Sequence, residues 1–352
     1  MPKFKRVNAA ALLGVTPLIR VSDKEVWSLL LTSNVRSLLG EVKSVRGPEV
    51  LESTQGFFPG DEGSNLNDHR LYGGQTGFVR FPYLNTMYRT EYGALVIKRD
   101  LVKIKVIGWF GDVEKGKAQM LFKVALRDRR YDGTRRANDT ALLEFPFDDP
   151  KLNAPLPFGT GCELSIYGFL PGSKITDVIG DIEYENFIAN PYTFANQPEK
   201  FLKFFERAWA ANRAPGQVAA PIPDVSKIVI PNLEKIATKY GYDFIENAPS
   251  HYHVAMWGRA SGYLFTYQRD EAAIKALSEG LARLKANGVK LNRVQESWVT
   301  AIQCLPKEHI PPHLYLGGAV WPQNNIDQQN LWMYKPLNEK AANAMTGPLP
   351  TP

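Results

Sequence analysis

Cysteine is scarce: the 352 residues contain two, Cys162 and Cys304, far apart and each inside an apolar stretch. That excludes a disulfide-stapled scaffold, and two buried thiols fit a reducing compartment. Long hydrophobic runs are missing too. Eighteen consecutive apolar residues occur nowhere and mean hydropathy is negative, so neither a bilayer-spanning helix nor a membrane partner is expected. The apolar run behind the basic N-terminus, Ala9 to Ile19, is broken by Gly14 and Pro17 and is too weak for a signal peptide. A cytoplasmic location is the resulting expectation. Internal repeats and low-complexity tracts are also lacking.

Signatures of catalysis are equally thin. Nothing resembles a nucleophile elbow, and neither cysteine has a histidine beside it in sequence. The glycines of Tyr72-Gly73-Gly74-Gln75-Thr76-Gly77 lack the Lys-Ser/Thr of a phosphate loop, and no helical pattern follows them. Asp148-Asp149-Pro150 reads as a turn, where carboxylates commonly satisfy backbone amides. Among the five histidines, His251 and His253 share one face if their segment is a strand. His309 and His313 are separated by Ile310-Pro311-Pro312, which forbids a regular helix, and no cysteine or acidic residue completes a familiar ligand spacing. Neither a metal site nor a cofactor is expected, and the protein reads as a non-enzyme.

What the sequence does have is a folding core and a concentrated charge. Hydrophobic residues make up 44% and charged residues 22%, an ordinary globular balance that argues against disorder. The net charge is only +6, yet the span from Lys98 to Arg136 carries twelve basic and five acidic residues, a surplus of +7. One ninth of the chain therefore holds more than the whole net charge, the footprint of a surface made for a polyanion.

The texture of the chain suggests its organisation. An amphipathic helix is predicted over Asp23 to Leu39, with Ser22 and Asp23 as cap candidates and Gly40 as its stop, followed by a long loop over 52–77. From Phe78 onward, short runs rich in Val, Ile, Phe and Tyr predict strands near 78–83, 92–98, 101–110, 119–128, 138–147, 162–169 and 175–188. In the third, Val102, Ile104, Val106 and Gly108 fall on one face and Lys103, Lys105, Ile107 and Trp109 on the other. A helix is predicted over Glu199 to Asn212, with Phe201, Leu202, Phe205 and Trp209 in one stripe. The Pro/Ala-rich segment 213–225 then reads as a linker. Beyond it come a helix near 231–240, strands near 251–258 and 262–268, a long helix from Asp270 to Ala286 stopped by Gly288, and a helix near 292–304. Residues 334–352 read as a tail.

The segment around 98–190 holds an ordered set of features. Gly108-Trp109-Phe110-Gly111-Asp112 ends one strand, a basic loop over 127–138 joins the next two, and Gly159 to Gly161 precedes Tyr167-Gly168-Phe169-Leu170. This order resembles the oligonucleotide-binding (OB) fold of bacterial single-stranded-DNA-binding proteins. The match departs at its first turn, which is one residue short. Tyr131 stands where the family usually offers a tryptophan, and Phe145 falls on its third-strand aromatic position. The chain ends in Pro-Leu-Pro-Thr-Pro and not in the family's acidic tip, so recruitment of partners through such a tip is not expected.

The expected architecture is therefore β-rich plus α+β. An N-terminal extension over 1–77 leads to an OB-like antiparallel barrel over 78–212, then the 213–225 linker, a smaller α+β domain over 226–333 and the tail. The expected function is binding of single-stranded DNA or RNA, with cations neutralising phosphates and flat rings stacking on bases. Lys103, Lys105, Lys123, Arg127, Arg129, Arg130, Arg135 and Arg136 are the candidate phosphate contacts. Trp109, Tyr131 and Phe145 are the candidate platforms, while Phe122 and Tyr167 suit a core equally well. A homo-oligomer is expected. Two other classes fit the same composition: a structural subunit of a viral shell or filament, and a backbone subunit of an RNA-guided effector complex with a ferredoxin-like second domain.

Overall fold

A computed structural model describes residues 17–30, 33–41, 49–51, 84–99, 103–112, 117–128, 161–168, 181–217, 222, 225–322, 331–344 and 347–348. In chain order the elements are α1 (Asp23–Leu30), α2 (Ser33–Leu39), β1 (Glu49–Leu51), β2 (Leu84–Arg89), β3 (Gly93–Arg99), β4 (Lys103–Asp112), β5 (Lys117–Asp128), β6 (Gly161–Gly168), α3 (Ile182–Ala189) and α4 (Pro198–Ala210). There follow α5 (Val225–Lys239), β7 (Phe244–Asn247), α6 (Tyr252–Ala260), β8 (Leu264–Phe265), α7 (Gln268–Ala286), α8 (Arg293–Ile302), β9 (Met333–Pro336) and α9 (Glu339–Ala344). The strands expected near 78–83 and 138–147 lie outside the described residues.

The fold is mixed α+β in two compact units. One gathers Met1–Gly172, Ile222–Glu246 and Pro336–Ala344, the other Ser173–Pro221, Asn247–Lys335 and Met345–Pro352. Neither is a continuous stretch, so these units differ from consecutive domains split at a 213–225 linker. Residues 213–217 belong to the second unit, with Arg213 and Ala214 buried in it, and the expected tail over 334–352 contains α9 and all of β9 except Met333.

In the first unit β1 to β6 pair antiparallel in sequence order, and β7 adds parallel to β6, Gly161 opposite Phe244. The described strands form an open sheet, not a closed barrel. The physical reason is the edge: β7 occupies the side of β6 that barrel closure would need. One sheet face carries Ile104, Val106, Val124 and Leu126, which with Val21, Val26, Leu233 and Ile236 line an apolar seam under α1 and α5. Burial on this scale contributes roughly 1.5–3 kcal/mol per large aliphatic side chain.

The helix expected over Asp23 to Leu39 is two helices, α1 and α2. The Ser22 hydroxyl accepts from the Glu25 amide at 3.3 Å while Glu25 Oε2 accepts from the Ser22 amide at 2.9 Å, a reciprocal capping box. Lys239 at the end of α5 pairs with the same Glu25, and the Tyr240 hydroxyl donates to it at 2.6 Å. Lys239 first, then Tyr240, holds this carboxyl down at about 2. The stops foreseen after the first helical segment and the long helix are real: Gly40 and Gly288 have φ of +72° and +86°, a conformation that costs other residues strain.

The second unit is a helical assembly with the short antiparallel pair β8 and β9. Phe187 of α3 stacks on Trp298 of α8, ring centroids 5.3 Å apart and nearly parallel, and Phe201 meets Phe187 edge-on at 5.0 Å. Of the strand expected near 175–188, residues 175–180 lie outside the described residues, and the rest is contradicted by α3, whose Asp181 side chain caps it by accepting from the Tyr184 amide at 3.0 Å. The expected strand near 251–258 is likewise the helix α6. Tyr252, His253, Met256 and Trp257 recur at helical spacing along it, which alternation reasoning overlooks.

Asp270, in the first turn of α7, is buried, and its Oδ2 has no hydrogen-bond partner. Burial pushes its carboxyl up to about 6, against smaller opposing effects of Arg269 and the Trp332 amide. A carboxyl raised from its unfolded value of 3.8 costs stability as pH climbs through that interval, fully so above the folded value. Asp270→Asn is therefore expected to raise unfolding free energy by about 3 kcal/mol at pH 8 and by well under about 1 kcal/mol at pH 4. Urea melts at the two pH values check this, and an equal effect at both would show that ionisation is not the cause.

Candidate nucleic-acid interface

The pairing register decides which residues of the basic span share a surface. On β4, residues 103, 105 and 107 fall on one face by the pleat. Cross-strand partners carry that face through the sheet: Lys98 opposite Lys105, Lys105 opposite Ala125, Lys103 opposite Arg127, and Ile107 opposite Lys123. On β6, Glu163 is opposite Arg127 and Tyr167 is opposite Lys123. Five basic positions on β3, β4 and β5 thus occupy neighbouring rows of one face; among the described residues, Glu163 on β6, Glu246 opposite it on β7, and Glu49 on β1 are the carboxylate positions of that face.

This arrangement is unfavourable for an isolated sheet. Like charges directly opposite one another destabilise a strand pair, whereas opposite charges contribute roughly 0.2–1 kcal/mol. Here two like-charged pairs, Lys98 with Lys105 and Lys103 with Arg127, sit in adjacent rows. Lys98 joins these rows only through the β3–β4 register, which sequence pattern does not reveal.

Trp109 is not displayed for stacking. It lies on the same sheet face as the cations, as alternation implies, but it is 0% exposed. It clusters with Met87, Ala94, Val96, Ile107 and Ala118, so the apolar end of this face is core and the indole is no platform for a base in this structure. The reason is energetic: indole is the largest apolar side chain, and at a position flanked by small and aliphatic neighbours burial wins over display. Phe122, on the other face, is buried as well. Lys123 is half-buried. For Lys103, Lys105, Arg127 and Tyr167 the strand positions stand as given, while Arg129, Arg130, Tyr131, Arg135, Arg136 and Phe145 lie outside the described residues.

Other chemistry has little support. Among the described residues no three His, Cys, Asp or Glu side chains group to hold a metal ion. His309 and His313 sit in two separate single turns around Pro311 and Pro312. Burial pushes the Cys304 thiol up to about 12, which leaves it inert as a nucleophile at neutral pH. Among the described residues no helix is long and apolar enough to cross a membrane. Comparison with protein-family models, curated proteins and solved structures yields no match.

Proposed function

We propose that the sheet unit binds single-stranded nucleic acid, without catalysis, by gripping phosphates along the basic face of β3 to β5. The observation that carries this reading is the register: Lys98, Lys103, Lys105, Lys123 and Arg127 come from three strands yet fall in adjoining rows. The resemblance of 98–190 to the OB fold enters as the class of ligand, and barrel closure is not needed for the rows to work. Trp109 has no stacking role, so affinity comes from the backbone of the strand and tolerates any base sequence.

Fluorescence anisotropy of labelled oligo-dT across a salt series tests it. Each phosphate contact contributes about 0.7 to the log–log salt slope for a single strand. Lys103→Ala, Lys105→Ala, Lys123→Ala and Arg127→Ala combined are expected to flatten the slope by roughly 3 and to weaken binding at least about tenfold at low salt. Trp109→Phe is expected to bind like the parent. Unchanged affinity and slope in the quadruple variant, verified as folded by circular dichroism, would remove the face from the site. Parallel titrations with oligo-U assign DNA or RNA preference.

A further inference from the structure

One face of α6, with Tyr252, His253, Met256 and Trp257, meets Arg293 and Glu296 of α8 across a cleft of about 370 Å³. That volume lies at the lower end of the range for small-molecule sites. Trp257 is half-buried there. Trp109, Trp298, Trp321 and Trp332 are buried, whereas Trp257 is half-buried like Trp209, which rests against Phe205 at 5.3 Å. A half-buried indole at a cleft wall leaves part of its ring free to complete its packing on a flat ligand.

The charges of the cleft favour an anion. Glu296 is engaged by Lys285 from α7, while Arg293 is exposed and spends one donor on the His253 carbonyl at 3.1 Å. A guanidinium has five donors, so a fork remains for an incoming group. The His253 ring is tied through Nδ1 to the Ser297 hydroxyl at 2.8 Å. Burial, then Arg293, lowers its pKa to about 4, so it meets a ligand as a neutral imidazole at pH 7.

We propose that this cleft of the second unit binds a nucleoside monophosphate moiety, the base stacked on Trp257 and the phosphate held by Arg293. The flat ring and its anionic substituent follow from the cleft itself. That the ring is a nucleobase rests on the nucleic-acid reading of the sheet. The moiety is supplied either by a free mononucleotide or by one residue of a bound strand.

Calorimetric titration of the full chain with thymidine 5′-monophosphate tests the site. Saturable binding is expected, weakened about tenfold or more in Trp257→Ala and in Arg293→Ala, and retained within about threefold in Trp257→Phe. Thymidine without its phosphate is expected to lose as much as Arg293→Ala does. Full binding by Trp257→Ala, or equal binding of thymidine and its monophosphate, would overturn the proposal. The quadruple sheet variant separates the two readings: it is expected to bind the monophosphate normally, whatever becomes of oligo-dT. Should oligo-dT bind while the monophosphate does not, the cleft assignment falls and the sheet assignment stands. An oligo-dT affinity lowered by Trp257→Ala identifies the strand as the source, and one left intact identifies the free mononucleotide.

Discussion

Arg213→Ala is expected to cost about 3–5 kcal/mol of unfolding free energy. Arg213 and Glu185 form a bidentate pair, Nη1 donating to Oε1 at 2.7 Å and Nη2 to Oε2 at 2.6 Å. Their side chains are 10% and 8% exposed, so water does little to screen or replace the contact. The same guanidinium donates to the Gln217 carbonyl at 3.2 Å, and the Arg213 carbonyl accepts from Trp298 Nε1 at 2.6 Å. Truncation strands a buried carboxylate and loosens the turn that holds the central indole. Replacing both partners with apolar residues is a different experiment, because no charge is left alone. Arg213→Met with Glu185→Leu is expected to recover most of the loss. Urea denaturation of the three proteins decides it: a loss under about 1 kcal/mol for Arg213→Ala would mean that the pair is hydrated in solution. The exposed pair of Lys200 and Glu183 is the internal contrast, worth at most about 1 kcal/mol.

Mild acid is expected to destabilise the helical unit well above the range in which carboxylates titrate. His251 is 2% exposed, its ring between Tyr192 at 5.9 Å and His253 at 6.0 Å. Burial first, and the His253 charge second, push its pKa down to about 3. Both imidazoles therefore remain neutral in the folded chain while their unfolded counterparts titrate near 6.5. A base with a depressed folded pKa contributes stability that is complete above the unfolded value and is lost as pH falls from there toward the folded one. At 1.36 kcal/mol per unit, the two rings together imply a loss on the order of 3 kcal/mol between pH 7 and pH 5. Unfolding free energies measured at half-unit steps reveal the slope, and His251→Gln with His253→Gln is expected to flatten it. A parent protein equally stable at pH 7 and pH 5 would show that the stacked rings admit water.

Several elements were legible from pattern alone, for identifiable reasons. The long helix from Asp270 to Ala286 is observed as Gln268–Ala286, and the one near 292–304 as Arg293–Ile302, because sustained 3.6-residue periodicity and a terminal glycine are local properties. The strands at 92–98, 101–110, 119–128 and 162–169 lie within a few residues of β3 to β6. The segment 251–258 misled because two histidines separated by one residue mimic alternation. Its Tyr252, His253, Met256 and Trp257 spacing would have pointed to the helix and to the cleft.

By itself the sequence determined that basic residues crowd into 98–136, that β4 alternates Lys103 and Lys105 with Ile104 and Val106, and that glycines stop two helical segments. Those features reside in spacing and backbone preference, which neighbours in sequence settle among themselves. Tertiary structure alone decided that Lys98 faces Lys105, that Trp109 is sealed beside Met87 and Val96, and that α5 leaves the C-terminal half to cover the sheet. Strand register and burial are set by what packs from elsewhere in the chain, so the alternation that places Lys103 and Lys105 on one face of β4 continues on that face into the buried Ile107 and Trp109.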